Sequence, residues 1–286
     1  KENHMIAITG ATGHLGQLTL TELLKTVPAS QLVAIVRNPA KAETLAQQGV
    51  IVRQAEYGDQ AALTAALEGV DKLLLISSSE VGQRAVQHRN VIDAAKAAGV
   101  KFIAYTSLLH ADRSPLGLHV EHVDTEQYLA ASGIPYALLR NGWYSENYLA
   151  SAPAALAHGV FIGSAGEGKI ASATRGDYAA AAAKVISSEG HAGKVYELAG
   201  DEAWTLSELA AELSKQSGKP VVYQNLSEAD FAAALKGAGL PEAFANLLAD
   251  SDAGAAKGGL FDSSRTLSTL IGRPTTSIRD SIRAIV

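Results

Sequence analysis

The stretch Ile6-Ala7-Ile8-Thr9-Gly10-Ala11-Thr12-Gly13-His14-Leu15-Gly16 decides the fold of this chain. Its apolar beginning is typical of a buried parallel strand, three glycines follow at the spacing G-x-x-G-x-x-G, and a helical pattern then begins near Leu18. Gly10 permits a tight turn, Gly13 lets backbone N–H groups approach a pyrophosphate, and Gly16 lets the helix pack closely on the strand. The alternative is an ordinary glycine-rich turn, but the order of strand, turn and helix favours a dinucleotide-binding loop over residues 10–16.

Composition excludes several classes of function. The 286 residues suffice for a large domain with a smaller lobe, and 47% of them are hydrophobic. The net charge of −5 argues against nucleic-acid binding. The sequence contains no cysteine, which excludes disulfides and thiolate metal sites. Without a targeting segment or a long apolar run, we expect a cytoplasmic protein that has no membrane span.

Strands and helices alternate regularly up to residue 140. Apolar runs predict strands at 6–8, 31–36, 50–53, 72–76, 101–107 and 135–140, with helical segments between them. This alternation predicts a Rossmann-type, doubly wound α/β fold with a parallel sheet, whose ligands bind at the carboxyl ends of the strands. We therefore expect a dinucleotide-binding domain over residues 5–140. Lys1-Glu2-Asn3-His4, residues 1–4, are interpreted as a remnant of cloning.

Beyond residue 140 the alternation is less regular. A helix at 177–188 and a strand at 194–198 are predicted to return to the sheet. Further helices are predicted at 204–217, 228–236 and 241–249. Residues 141–286 are thus expected to rejoin the sheet and to form a smaller, mainly helical lobe on the substrate side.

The end of the second strand distinguishes NAD from NADP. An NAD site places Asp or Glu about twenty residues after the glycines, where it holds the ribose 2′-hydroxyl. Arg37 stands in that position here, and a guanidinium pairs with a 2′-phosphate, so NADP(H) is favoured. The alternative is a solvated surface arginine. Asp59 is interpreted as the N-cap of the next helix rather than as an adenine contact.

Other residues at strand ends are predicted to line the cofactor, namely Ser77, Ser78, Ser79, Tyr105, Asn141 and Gly142. The three serines are alternatively small residues in a tight turn. Trp143, Tyr144 and Tyr148 follow the sixth strand and are predicted to bind substrate, because aromatic side chains stack on a flat ring. The alternative for these aromatic residues is packing between the two lobes.

The usual catalytic pair of short-chain dehydrogenases is absent from the sequence. That pair is Tyr-x-x-x-Lys, in which the lysine lowers the pKa of the tyrosine, and no tyrosine here has a lysine at the fourth following position. Reduction of a ketone requires a proton donor at the developing alkoxide, whereas a quinone or a delocalised carbocation accepts hydride to give a far more stable product. The absence of the pair therefore indicates either a strongly electrophilic acceptor or a protein that binds the cofactor without chemistry.

No catalytic residue follows with certainty, and His122 is the one candidate. His119, Glu121, His122 and Glu126 share a helical segment, but their spacing is not the H-E-x-x-H zinc pattern, so no metal site is predicted. His122 is either an orienting or proton-donating group in the cleft or a structural histidine.

Several motifs together carry a family resemblance. The opening Met5–Gly16, Val36-Arg37-Asn38, His88–Ala95 and Leu138–Tyr144 resemble the NmrA-like branch of the atypical short-chain dehydrogenases, which includes reductases of quinones and of triphenylmethane dyes. The resemblance covers nearly the whole chain from Met5. It implies an NADPH-binding domain with a small C-terminal lobe, direct hydride transfer to a quinone, and no Tyr-x-x-x-Lys pair. Ile170–Tyr178 is similar to a family segment that returns to the cleft, which makes Arg175 a further cofactor candidate.

These observations leave three candidate functions. The first is an NADPH-dependent reductase of quinones or of another flat aromatic electrophile, and the second is a reductase of cationic triphenylmethane dyes. The third is a non-catalytic NADP-binding redox sensor. The aromatic segment after Arg140 favours an enzyme, because a sensor needs no pocket for a flat substrate.

Overall fold

The structure is a computed structural model that describes residues 4–286, so that Lys1, Glu2 and Asn3 of the predicted cloning remnant lie outside the described residues. Within that range the strands are β1 (Ile6–Ile8), β2 (Leu32–Val36), β3 (Ile51–Gln54), β4 (Lys72–Leu75), β5 (Phe102–Leu108), β6 (Tyr136–Asn141), β7 (Val160–Gly163), β8 (Val195–Leu198) and β9 (Val222–Asn225). The α-helices are α1 (His14–Leu24), α2 (Glu43–Gln47), α3 (Gln60–Ala66), α4 (Arg84–Ala98), α5 (His119–Ala131), α6 (Ser145–Leu149), α7 (Ala152–His158), α8 (Arg175–Ser187), α9 (Leu206–Ser217), α10 (Glu228–Gly237), α11 (Glu242–Ala256), α12 (Thr266–Ile271) and α13 (Ile278–Arg283).

The main sheet is parallel and doubly wound, which confirms the predicted fold class. Among the described residues its strand order is β3-β2-β1-β4-β5-β6-β8. β1 pairs in parallel with β2 on one side and with β4 on the other, so the strand order reverses direction at β1. Such a reversal is the topological switch point at which doubly wound sheets bind their ligands.

The central strands are apolar on both faces. β2, with the sequence LVAIV, and β4, with KLLL, are buried along their whole length. Side chains of these strands pack in one cluster with Leu63 of α3 and with Val91 and Ile92 of α4. Continuous apolar strands are expected where crossover helices cover the sheet, so the predicted alternation has its physical explanation in this core.

The chain forms two compact units with interleaved segments. The first unit contains the described residues up to Ser107, Glu121–Arg140 and Arg175–Tyr196. The second contains Leu108–Val120, Asn141–Thr174 and Glu197–Val286. One boundary between the units lies after Arg140, and the segments before and after it alternate between the units.

The second unit contains elements that the sequence did not reveal. β7 and β9 form a separate two-stranded parallel sheet, and α6, α7, α12 and α13 were also not predicted. Each of these elements is short, and a run of a few residues shows neither the alternation of a strand nor the period of a helix.

Helix α11 is longer than predicted, because tertiary contacts extend it. Beyond the predicted end at residue 249, the Asp250 carboxylate accepts a hydrogen bond of 2.7 Å from the Gly117 N–H. A Cβ atom on Gly254 would lie 2.6 Å from Leu116 Cδ1, so glycine here permits close packing rather than ending the helix. No helix in the described part of the chain is both long enough and apolar enough to cross a membrane.

Candidate active site

The glycine loop is a tight turn between β1 and α1. Gly10 has a φ of +62°, a conformation that favours glycine, and the Gly13 N–H donates to the Gly10 carbonyl at 3.1 Å. A Cβ atom on Gly16 would lie 2.1 Å from the Gly10 carbonyl oxygen. No real side chain tolerates that distance, so glycine at this position is required for α1 to pack against the turn.

The amino end of α1 has no side-chain cap. Gly13 is the N-cap residue and makes no side-chain cap hydrogen bond, and the first turn contains no acidic residue. Gly13 and His14 are exposed, whereas Ala11, Leu15 and Gly16 are buried. Backbone N–H groups at a helix start have no partner within the helix, and together with the helix dipole they form a site for an anion.

Arg37 lies directly after β2 and is half-exposed. Its guanidinium donates to the Glu80 carboxylate at 3.1 Å. The Glu80 N–H donates to Ser78 Oγ at 3.1 Å, so this acidic partner is held by the serine turn that follows β4. An exposed ion pair of this kind contributes little free energy, which leaves the guanidinium available to another anion.

The serine turn uses its backbone N–H groups within the protein. The Ser77 N–H donates to Thr106 Oγ1 at 2.8 Å, and the Ser78 N–H donates to His88 Nε2 at 2.9 Å. These bonds favour the tight-turn alternative for the predicted Ser77-Ser78-Ser79 contact. Asp59 accepts from the Ala62 N–H at 3.0 Å, and its interpretation as an N-cap is confirmed.

A network of buried hydrogen bonds connects α4, β5 and α5. The Tyr105 hydroxyl lies 2.6 Å from His122 Nδ1, and His88 Nδ1 lies 2.9 Å from Thr125 Oγ1. Because the Ser78 N–H can only donate, His88 Nε2 is the acceptor in that bond and the proton of the neutral ring is on Nδ1. His88 therefore donates to Thr125. Tyr105, a predicted cofactor residue, is fully buried in this network.

His122 is a neutral, buried member of the same network. Only 5% of its surface is exposed, and its Nε2 lies 3.5 Å from an Arg84 guanidinium nitrogen. Burial, reinforced by the Arg84 charge, lowers the pKa of His122 to about 3. Burial likewise lowers the pKa of His88 to about 3. Since both nitrogens of the neutral His122 ring have a neighbour, the geometry favours the structural alternative over proton donation.

A buried ion pair links α5 to the end of β6. Arg140 donates to Glu126 through Nε at 3.0 Å and through a terminal nitrogen at 2.7 Å. The Ser107 hydroxyl donates to the same carboxylate at 2.6 Å. A bidentate pair with an additional donor satisfies two charges that burial would otherwise make costly.

The residues considered as metal ligands have other partners. His119 Nδ1 donates to the Leu116 carbonyl at 2.7 Å. The Glu121 carboxylate accepts from the Gly82 and Arg84 N–H groups at 3.1 Å, so it satisfies N–H groups at the start of α4. No group of three or more His, Cys, Asp and Glu side chains within residues 4–286 is arranged to hold a metal ion.

Asn141 ends β6 in the second unit and carries an unsatisfied polar atom. The residue is buried, and its Oδ1 atom has no hydrogen-bond partner among the described residues. The Gly142 N–H, in contrast, donates to the Leu198 carbonyl at 2.8 Å. Buried side-chain oxygens are nearly always hydrogen-bonded in native proteins, so the Asn141 carbonyl is a candidate acceptor for a ligand donor.

The predicted substrate residues differ in their surroundings. Tyr148 is buried, and its ring packs edge to face on Trp204 with centroids 4.8 Å apart. Trp143 and Tyr144 are only partly buried, and Tyr144 forms an isolated parallel bridge with Ala173. Tyr148 therefore packs within the second unit. Arg175 is the first residue of α8 in the first unit.

Two residues next to predicted site residues were not identified from the sequence, namely Tyr57 and Arg84. The Tyr57 hydroxyl hydrogen-bonds the Thr9 side chain, and burial raises its pKa. A Cβ atom on Gly10 would lie 3.9 Å from this hydroxyl, so Tyr57 is adjacent to the glycine loop. Its position after the third strand was a usable signal. Arg84 gave no signal, because its contact with His122 depends on the packing of α4 against α5.

Comparison with known proteins supports the cofactor prediction. Residues 2–271 match the NmrA-like family. The chain is 77% identical to quinone oxidoreductase 2 of Escherichia coli strain K12 over 97% of both chains. The crystal structure of the NADPH-dependent quinone oxidoreductase QOR2 from Escherichia coli complexed with NADPH superposes with a TM-score of 0.98 at 76% identity, covering 98% of this chain and 99% of that one. The Citrobacter sp. triphenylmethane reductase complexed with NADP(H) has a TM-score of 0.95 at 42% identity, with 98% and 100% of the two chains covered.

Proposed function

The chain belongs to the NmrA-like family, as its motifs predicted, and we propose that it is an NADPH-dependent reductase that transfers hydride directly to a quinone. The observation that carries this proposal is the full-length identity of 77% to a quinone oxidoreductase, in a chain that keeps the uncapped glycine loop. When bound, NADPH supplies the hydride from its nicotinamide ring. The chain's own residues bind and orient the cofactor.

The glycine loop fits a pyrophosphate. The missing cap at Gly13 leaves helix N–H groups for phosphate oxygens. Gly16 lets α1 pack against the turn, because a Cβ atom there would clash with the Gly10 carbonyl oxygen. Arg37 is proposed to pair with the 2′-phosphate, and a doubly charged phosphate is a stronger acceptor for a guanidinium than the exposed Glu80 carboxylate. Exchange of Glu80 for the phosphate would give Arg37 its selectivity for NADPH.

The unsatisfied Asn141 carbonyl fits a donor on the cofactor or the substrate. A buried amide oxygen without a partner costs about 1–3 kcal/mol, and a ligand N–H or O–H group would recover that free energy. Gly142, Trp143, Tyr144 and Arg175 remain predicted contacts. Of the aromatic residues, Trp143 and Tyr144 are better placed than Tyr148 to meet a flat substrate, because Tyr148 already packs on Trp204.

The residues described do not supply an obvious proton donor, and a quinone does not require one. Neither a Tyr-x-x-x-Lys pair nor a charged His122 is present, since burial keeps the latter neutral. Hydride addition to a quinone gives a delocalised hydroquinone anion, which can take its proton from solvent. This chemistry favours a quinone over a simple ketone as the acceptor.

A cationic triphenylmethane dye is the second candidate acceptor. It is favoured by the structural likeness to the Citrobacter reductase and by the same chemistry, because a carbocation accepts hydride without any proton. A cytoplasmic location and the absence of a nucleic-acid partner stay predictions from the sequence.

The test is NADPH oxidation followed at its absorbance band, first with 1,4-benzoquinone and then with malachite green. Faster oxidation with the quinone is the expected result. Faster oxidation with the dye would favour the second candidate. Tight NADP binding with neither acceptor reduced would instead support a non-catalytic redox sensor.

A further inference from the structure

A cavity lies at the amino ends of the strands in the first unit, opposite the edge that carries the glycine loop. Its volume is about 290 Å³. Lys72 is the first residue of β4, Phe102 is the first residue of β5, and Pro135 directly precedes β6. The loop 188–192 between α8 and β8 completes the cavity, and the remaining lining residues are His4, Asp71 and Lys101.

Lys72 is the buried charge of this cavity. Its side chain is only 8% exposed. The ammonium group donates to the Glu189 carboxylate at 2.9 Å and to the Ser188 carbonyl at 3.4 Å. An ammonium group has three N–H donors, so one donor is left over for a further acceptor.

Glu189, the carboxylate partner of Lys72, is mostly exposed to solvent. Its side chain is 77% exposed, although the amine that it contacts is buried. The hydrogen bond from Lys72 lowers the pKa of Glu189, so its carboxylate is ionised at neutral pH. The next residue, Gly190, has a φ of +88°, a conformation that favours glycine. Because the Glu189 carboxylate is exposed while the Lys72 amine is buried, a ligand carboxylate can take the place of Glu189 on Lys72.

The charged residues that line the cavity are two lysines, Lys72 and Lys101, and two carboxylates, Asp71 and Glu189. Lys101 lines the cavity and pairs with Asp71 at 3.7 Å. Burial and then the charges of Lys72 and Lys184 lower the pKa of His191, which keeps this ring neutral. His191 is fixed by Ser188 Oγ and by the Tyr196 hydroxyl. A ligand carboxylate that displaces Glu189 therefore meets Lys72 and Lys101, with Asp71 as the remaining lining carboxylate.

We propose that this cavity binds a small organic carboxylate, which takes the place of Glu189 on Lys72. The carboxylate group would accept from the Lys72 ammonium, and the hydrocarbon part would contact Phe102 and Pro135. The volume is close to the lower bound of about 300 Å³ for small-molecule pockets, which suits a single ring. The site is independent of the proposed hydride transfer, because its residues are distinct from the glycine loop and from Arg37.

The test is titration of the full chain with benzoate, followed by isothermal calorimetry or by chemical shifts. Glu189→Gln is expected to tighten benzoate binding by about tenfold, because an amide still accepts from Lys72 but competes less than a carboxylate. Lys72→Met is expected to weaken binding by at least about tenfold. Glu68→Gln and Lys96→Met, which change exposed charges elsewhere in the first unit, are matched controls and should bind as the parent does.

Several results would overturn the proposal. They are unchanged affinity in Glu189→Gln, binding of benzylamine as tightly as benzoate, and binding of inorganic phosphate but not of benzoate. His4→Ala should bind as the parent does, and a loss there would assign the site to the residues that precede Met5. Thermal unfolding and NADPH binding of each variant report folding. If Lys72→Met does not fold, Glu189→Gln alone decides, since it keeps the buried amine.

Discussion

The glycine loop and the histidine network belong to the same unit, yet they differ in whether their polar groups are satisfied. At the start of α1, N–H groups face the surface without a side-chain cap. In the network, the Ser78 N–H, His88, Tyr105 and His122 are buried and hydrogen-bonded to one another or to Thr125. The comparison teaches that a polar group indicates a binding site only where it still lacks a hydrogen-bond partner within the protein.

Two physical constraints produce this difference. A helix start always leaves N–H groups without intrahelical partners, and a glycine N-cap supplies no side chain to satisfy them. Burial imposes the opposite condition, because a polar group without water must find a protein partner. It also penalises charge, which is why the pKa of His122 is about 3. Variants in the two regions should therefore separate cofactor affinity from stability.

The largest effect is expected from Gly16→Val. Its side chain would begin 2.1 Å from the Gly10 carbonyl oxygen, so the loop must open. We expect loss of measurable NADPH binding and a decrease of about 3 kcal/mol or more in the free energy of unfolding. Fluorescence titration with NADPH and urea denaturation measure the two effects. Gly237→Ala is the control, since a Cβ atom there meets nothing within 4 Å, and its binding should equal that of the parent.

Glu126→Gln should affect stability rather than cofactor affinity. The change leaves the buried Arg140 guanidinium without its carboxylate, which we expect to cost about 3 kcal/mol in urea denaturation. NADPH affinity of the folded variant should stay within about threefold of the parent. A selective loss of NADPH affinity at unchanged stability would show that this ion pair belongs to the cofactor site and does not stabilise the fold.

Arg37→Asp should show the opposite behaviour. Arg37 is half-exposed, so stability should change little, whereas repulsion of the 2′-phosphate should weaken NADPH binding by about 2 kcal/mol, or about thirtyfold. NADH carries no 2′-phosphate, and its affinity should change by less than about threefold. Equal weakening of both cofactors would show that Arg37 does not contact the 2′-phosphate.

The glycine loop, with Arg37 at the end of β2, was more predictable from sequence than the histidine network. Its strand, glycines and Arg37 lie in local order along the chain, and the sheet topology brings them to one edge. The network was not predictable, because Arg84, Tyr105 and His122 come from three elements that meet only through packing. The same limit applies to β7 and β9, whose pairing is set by contacts distant in sequence.

The smallest expected effect tests the network through its pH dependence. The pKa of His122 is about 3 in the folded protein and about 6.5 in the unfolded chain. As pH falls below about 6.5, the unfolded chain binds a proton that the folded protein does not, so stability decreases until pH reaches about 3. Each histidine with such a lowered pKa should make the free energy of unfolding about 1.4 kcal/mol smaller at pH 5.5 than at pH 7.5.

His122→Asn should therefore reduce the loss of stability between these two pH values by about 1.4 kcal/mol, and the double variant with His88→Asn should reduce it twice as much. Urea denaturation at both pH values measures the difference, which is insensitive to any constant cost of the substitution. Quinone reduction at neutral pH should persist, because a neutral, buried ring transfers no proton. An unchanged pH dependence together with a large fall in kcat would contradict the structural role of His122 and favour the alternative role as a proton donor.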